Sequence, residues 1–111
     1  MSTSMKTEVV PEPVAARVSD DRITIDLADG RSVSVPLQWF PRLLHGTPAE
    51  RAKYELLPGG VYWPELNADV SVAGVLNSEK SGESSRSFRR WLEYRSRGEK
   101  EPIPEFPLRQ D

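Results

Sequence analysis

The chain has 111 residues, 15 of them basic and 17 acidic, for a formal net charge of −2. That length suits one modest core, and the near balance of charge gives no global pull toward nucleic acid or an anionic membrane. There is no cysteine and one histidine, His45, which excludes disulfides, thiolate chemistry and a structural zinc site, so no metal and no cofactor is expected.

Residues 1–13 read as a disordered lead. Ser2, Thr3 and Ser4 are small and polar, and Pro11 and Pro13 resist regular pairing. Met1 to Thr7 lacks the apolar middle of a signal peptide. No apolar run approaches the roughly 18 residues of a membrane span. A cytoplasmic location without membrane contact is the expectation.

A single α+β domain is predicted over 14–98. It opens with apolar residues at period two: Val14, Ala16 and Val18; Ile23, Ile25 and Leu27; Val33 and Val35. Such alternation marks half-buried strands. An Asp20-Asp21 turn pairs Val18 with Ile23 and Ala16 with Ile25. For the next turn, a two-residue Asp29-Gly30 connection would place apolar residues on both faces. A three-residue loop, Ala28-Asp29-Gly30, pairs Ile25 with Val33 and Ile23 with Val35 and keeps one face apolar throughout. The longer loop is therefore predicted, with Gly30 left-handed. The result is a three-stranded antiparallel meander with one apolar side.

Pro36 ends the third strand. Gln38 to Leu44 reads as one short helical turn with Pro41 near its start, stopped by Gly46. Thr47-Pro48-Ala49-Glu50 is a helix start: Thr47 caps, Pro48 takes the first position and Glu50 reaches back to the cap amide. This helix is predicted to run to about Tyr54. A later hairpin follows, Tyr54–Leu57 with Val61–Trp63, around Pro58-Gly59-Gly60. Val70, Val72, Val75 and Leu76 are assigned to the core. Over 84–97 the period becomes helical, with Phe88, Trp91 and Leu92 on one face, Glu93 and Arg97 as an i, i+4 pair, and Gly98 as the stop. The Pro-rich tail 99–111, with Pro102, Pro104 and Pro107, is predicted to run extended.

The residues Asp29-Gly30-Arg31, Val35-Pro36-Leu37, Trp39-Phe40-Pro41-Arg42-Leu43 and Thr47-Pro48-Ala49-Glu50-Arg51 form a recognisable set. With them go Val61-Tyr62-Trp63-Pro64-Glu65-Leu66, Asp69-Val70-Ser71-Val72 and Gly74-Val75-Leu76. The set resembles the bacterial family named only as domain of unknown function 2442. Ser85-Arg86-Ser87-Phe88-Arg89-Arg90-Trp91-Leu92 is similar to the ending of its longer members, so the resemblance covers most of 14–97. It implies a small α+β fold and no established activity. Some members carry an added DNA-binding domain and others sit in gene pairs that look like toxin–antitoxin modules, which implies an adaptor or partner-binding role. After the Trp-Pro pair the family typically has Asp-Ile-Asp-Glu-Asp. Here the stretch is Glu65-Leu66-Asn67-Ala68-Asp69, and Tyr62 stands where many members have histidine. Both departures remove ionisable groups, against metal binding or acid–base work.

Four groups of residues could carry function. Trp39, Phe40 and Arg42 are a candidate partner-binding hot spot, since aromatics and arginine are enriched there; core packing of Trp39 and Leu43, with Phe40, against Ile23, Ile25 and Val35 is the favoured reading. Tyr62, Trp63, Glu65 and Asp69 could line a groove for a cation or basic peptide, against the favoured reading of Trp63 as core and Asp69 as a cap. His45, Glu50 or Asp69, and Ser71 are the residues a hydrolytic site would need, but their spacing supports no triad and no phosphate-cradling glycine loop is present. The last group is the C-terminal helix. From Gly82 to Lys100 there are six basic and three acidic residues, which leaves −5 for the rest of a chain of net charge −2. Phe88, Trp91 and Leu92 are candidate docking residues; Arg86, Arg89, Arg90, Arg95 and Arg97 are candidate nucleic-acid contacts. Glu83, Glu93 and Glu99 dilute the basic face, which favours protein docking.

The combined reading is a small antiparallel sheet, made of an N-terminal meander and a later hairpin, with short helices and a C-terminal helix. Its expected function is that of a non-catalytic protein-interaction module of a bacterial small-protein system, antitoxin-like or adaptor. The expected partner is a co-encoded small protein or a second copy. A nucleic-acid-associated accessory protein is the alternative, and a small enzyme with an unrecognised site the third reading.

Overall fold

A computed structural model describes residues 10–102 of the chain. Most of the expected lead and tail lies outside the described residues. Pro13, assigned to the lead, is instead the first residue of a strand.

β1 (Pro13–Val18), β2 (Arg22–Leu27) and β3 (Ser32–Pro36) form an antiparallel sheet in that order. The register is the one the apolar pattern requires. Val18 faces Ile23 and Ala16 faces Ile25, while Ile25 faces Val33 and Ile23 faces Val35. A slip of one residue would turn Ile23, Ile25 and Leu27, all buried, toward water. Ser19 N–H donates to the Arg22 carbonyl at 2.9 Å and closes the Asp20-Asp21 turn. Leu27 N–H donates to the Arg31 carbonyl at 2.8 Å around the three-residue loop, with Gly30 at φ +94°.

Val14 departs from the expected face. The register shifts between Pro13, opposite Leu27, and Ala15, opposite Asp26. Val14 is the extra residue of this bulge and is 52% exposed, while Pro13 takes the buried place. An extra residue reverses the in–out alternation behind it.

The single turn expected over Gln38–Leu44 is two. A 3₁₀ turn spans Leu37–Trp39, and α1 spans Pro41–Leu44. The break falls at Phe40, because Pro41 has no N–H to continue a helix and occupies a first helical position. α2 (Pro48–Arg51) begins with the expected reciprocal cap: Glu50 N–H donates to Thr47 Oγ1 at 3.1 Å, and Thr47 N–H to Glu50 Oε1 at 2.8 Å. It ends at Arg51 and does not reach Tyr54. The Arg51 carbonyl accepts the Trp63 indole N–H at 2.9 Å, in place of a further helical amide.

β4 (Glu55–Leu57), β5 (Gly60–Trp63) and β6 (Ala68–Ser71) form a second antiparallel sheet in that order. Leu57 stands opposite Gly60, so the turn is Pro58-Gly59 and Gly60 belongs to β5. Gly59 has φ +72°, the place of glycine after proline in a type II turn. β6 turns Ala68 and Val70 inward. Ser71 then caps α3 (Val72–Leu76), its Oγ accepting from Gly74 N–H at 3.1 Å. Val72 and Val75 are buried, but Leu76, expected in the core, is 39% exposed on the next position round this short helix.

The side chains most completely buried are Trp63, Ile23, Ile25, Leu37, Leu43, Leu66, Val61, Val70 and Val72. Among the described residues no polar or charged one is buried.

The chain divides into two compact units, one ending at Ser81 and one beginning at Gly82. The second is built on α4 (Ser85–Ser96), which is one residue shorter at each end than the predicted helix. Ser84 caps it, Oγ accepting from Ser87 N–H at 3.1 Å. Gly98, at φ +73°, terminates it, with Gly98 N–H bonded to the Arg95 carbonyl and Glu99 N–H to that of Tyr94. That is the double bond pattern of a glycine-terminated helix. The Glu93–Arg97 pair is not formed: Arg97 Nε donates to Glu99 Oε1 at 3.3 Å, and its guanidinium lies 5.0 Å over the Tyr94 ring. No helix among the described residues is long and apolar enough to cross a membrane.

Candidate functional site

The aromatic segment between the sheets is used internally. Phe40 is buried at 9% exposure. Trp39, read from sequence as core, is half-buried, with the Lys80 ammonium 5.6 Å over its ring and its carbonyl accepting from Ser81 N–H at 3.0 Å. Arg42 Nη1 donates to the carbonyls of Leu66 and Asn67 at 3.3 and 3.2 Å. It braces a turn in which Asn67 has φ 49°. Arg51 does the same for α1, donating to the Leu43 and Leu44 carbonyls at 2.8 and 2.7 Å. These guanidiniums satisfy carbonyls left over at turns and helix ends, where the backbone has no partner of its own.

The groups of the hydrolytic reading are spread over helix ends. His45 is the C-cap residue of α1, Glu50 works in the α2 cap, and Ser71 caps α3. Asp69 lies within β6 and caps nothing as a turn or helix start. No group of three or more His, Asp or Glu side chains placed to hold a metal ion occurs among the described residues.

Of the expected groove residues Tyr62, Trp63, Glu65 and Asp69, strand pairing brings Tyr62 and Asp69 together, leaves Trp63 in the core, and adds Glu55, which the sequence reading missed. Glu55 stands opposite Tyr62, and Tyr62 opposite Asp69. Facing residues on neighbouring strands share a face, so the outer face of the second sheet carries a carboxylate on each side of a phenol ring. Glu55 and Asp69 are exposed and Tyr62 half-buried. The Tyr62 hydroxyl donates to Asn67 Oδ1 at 3.1 Å, which fixes the ring. Neither Glu55 nor Asp69 forms an ion pair with a described residue, whereas Glu65 is held by Lys53 Nζ at 3.0 Å. The Ala68, Val70 alternation with Asp69 and Ser71 was the available signal for β6.

α4 has two dissimilar sides. Phe88 stacks on Trp91 with ring centroids 5.7 Å apart, and the Arg95 guanidinium lies 5.2 Å over the Trp91 ring; Trp91 is the buried residue of the helix. With Leu92 these make the predicted apolar stripe. Arg86, Arg89 and Arg90 lie on the other side and are exposed. None of the three side chains forms an ion pair or hydrogen bond with a described residue. Arg95 and Arg97 are drawn onto aromatic rings and are not part of that free set.

Comparison with known proteins bears on the first unit. Residues 13–81 match the family described as "Protein of unknown function (DUF2442)". The chain belongs to this family. The DUF2442 domain thus ends where the first compact unit ends, at Ser81, and α4 lies beyond the matched segment. A protein of unknown function from Rhodospirillum rubrum has a similar structure, with TM-score 0.57 and 22% identity over 66% of this chain and 93% of that one. An uncharacterized protein from Chromobacterium violaceum is similar with TM-score 0.55 and 23% identity, over 71% of this chain and 74% of that one. At such identities the likeness is one of fold. No curated protein matches the chain.

Proposed function

We propose that the protein is a non-catalytic protein-interaction module of a bacterial small-protein system, an adaptor or antitoxin-like component in which α4 is the contact element. The supporting observation is the outward side of α4. Three arginines, Arg86, Arg89 and Arg90, stand exposed within five residues and without a partner among the described residues. The first turn of the helix carries no acidic residue, although acids there would suit the helix dipole. Arginine is enriched at interfaces because its planar fork pairs bidentately with carboxylates. Glu93 lies between the arginine positions on the same side, which favours a protein surface of mixed charge over a continuous row of phosphates.

The test is co-expression with the product of the adjacent gene. The two proteins should co-purify, and the triple variant Arg86→Gln, Arg89→Gln, Arg90→Gln should lose the partner. A nucleic-acid role is the second reading, supported by the same three arginines. It takes over if no protein co-purifies while duplex DNA binds, with an affinity that falls steeply with salt and is lost in the triple variant.

A further inference from the structure

Two surfaces of this chain are opposite in charge. One is the arginine side of α4. The other is the Glu55–Tyr62–Asp69 row on the outer face of the second sheet. The charged side chains of both are exposed, and none of them forms an ion pair with a described residue. We infer that the protein self-associates by seating Arg86, Arg89 and Arg90 of one copy on the Glu55–Tyr62–Asp69 row of a second copy. This rests on the reading of α4 as the contact element and names one occupant for it.

The spacing is suitable. Neighbouring strands lie about 4.8 Å apart, so Glu55 and Asp69, two strands apart, are separated by about 10 Å. Arg86 and Arg90 are one helical turn apart, about 6 Å along the axis, and Arg89 projects about 100° round from Arg90. The outer two guanidiniums can each meet a carboxylate while the third lies over the Tyr62 ring, held in place by its bond to Asn67. Arginine on carboxylate and arginine on an aromatic face are both favourable pairings. A reciprocal exchange forms the contact twice, as two-fold symmetry requires. The contact is charged and exposed, so association should be weak and salt-sensitive.

The experiment is sedimentation equilibrium of the full chain at low and high salt, with two charge-reversed variants. One is Arg86→Glu, Arg89→Glu, Arg90→Glu; the other is Glu55→Lys, Asp69→Lys. The wild type should dimerise at low salt, and its dissociation constant should rise at least about tenfold between about 0.05 and 0.5 M salt. Each variant alone should be monomeric, because both of its surfaces then carry one sign. Mixed in equal amounts the two variants should form a heterodimer, since every contact is again between opposite charges. That rescue also shows that both variants are folded. A wild type that stays monomeric, a dimer that persists in either variant, or a mixture that fails to associate overturns the inference. A monomeric wild type that still captures the adjacent gene product overturns it alone and leaves the proposed function standing.

Discussion

A Cβ built on Gly60 would lie 2.9 Å from the Val70 carbonyl oxygen, whereas one built on Gly30 meets nothing within 4 Å. The two glycines are needed for different reasons. Gly60 leaves room for a neighbouring strand's backbone, which cannot move aside as a flexible side chain can. Gly30 supplies φ +94°, a conformation that side-chain-bearing residues enter at a cost. Gly60→Ala should lose about 1–3 kcal/mol through overpacking. Gly30→Val should lose a similar amount, about 1–3 kcal/mol, as backbone strain, and Gly30→Asn should lose less because asparagine tolerates the left-handed region. Urea midpoints for the three variants check this; equal losses for Val and Asn at position 30 would contradict the conformational account. Acid sensitivity is also set by single residues. The Ser32 hydroxyl and then the Arg17 guanidinium hydrogen-bond the Asp26 carboxylate and hold its pKa below the usual value. For Asp29 the Arg31 backbone N–H is the first cause. A lowered folded-state pKa stabilises the fold above the unfolded value, about 3.9, and that contribution is lost as pH falls through the folded value. Asp29 is exposed and Asp26 half-buried at the sheet surface, where water screens the charges, so the effect is small. Asp26→Asn should lower the urea midpoint slightly at pH 6 and leave it unchanged near pH 2; a difference that persists in acid would mean that the carboxylate charge is not its source.

Helix α2 is only four residues long, too short to hold by propensity, so its cap matters more than its length suggests. Thr47→Ala should cost about 1 kcal/mol and fray the segment whose last carbonyl receives the Trp63 indole N–H. Amide exchange should rise at Glu50 and Arg51 while the β1–β3 sheet stays protected; uniform loss of protection would show that the cap supports more than α2. Features of this kind were legible in the sequence because their chemistry is local. A cap needs Thr47 and Glu50, the loop at Gly30 follows from which register keeps Ile23, Ile25, Val33 and Val35 together, and α4 shows as a change of period between Ser84 and Gly98. The misread features depend on distant partners. Nothing near Val14 signals that Leu27 pairs with Pro13 and not with Val14. The end of α2 is set by an indole twelve residues on. The candidate site divides the same way. The arginines of α4 are visible as a helical pattern, but Glu55, Tyr62 and Asp69 come together only through the pairing of β4, β5 and β6, and β6 went unread because it is only four residues long and runs directly into the apolar residues of α3.

At the scale of the whole molecule, the family match and the first compact unit share one boundary, and the most completely buried side chains lie inside it. The match ends at Ser81, as does the first unit, and the most completely buried side chains all fall between Ile23 and Val72. Both sheets, the three short helices and every turn that fixes their registers lie before that point. A chain truncated after Ser81 therefore keeps its own core and both sets of strand pairings, and it loses the element that carries Arg86, Arg89 and Arg90. It should unfold in urea as one cooperative transition, with an m-value reduced in proportion to the surface it no longer contains. Trp63 is fully buried and its ring lies 6.4 Å from that of Tyr54, so its near-ultraviolet circular dichroism should persist in the fragment. Self-association and partner capture should both be absent. A broad, non-cooperative melt with no aromatic signal would show that the family-matched segment is not a self-sufficient folding unit; a fragment that folds and still associates would move the contact surface off α4 and onto the sheets.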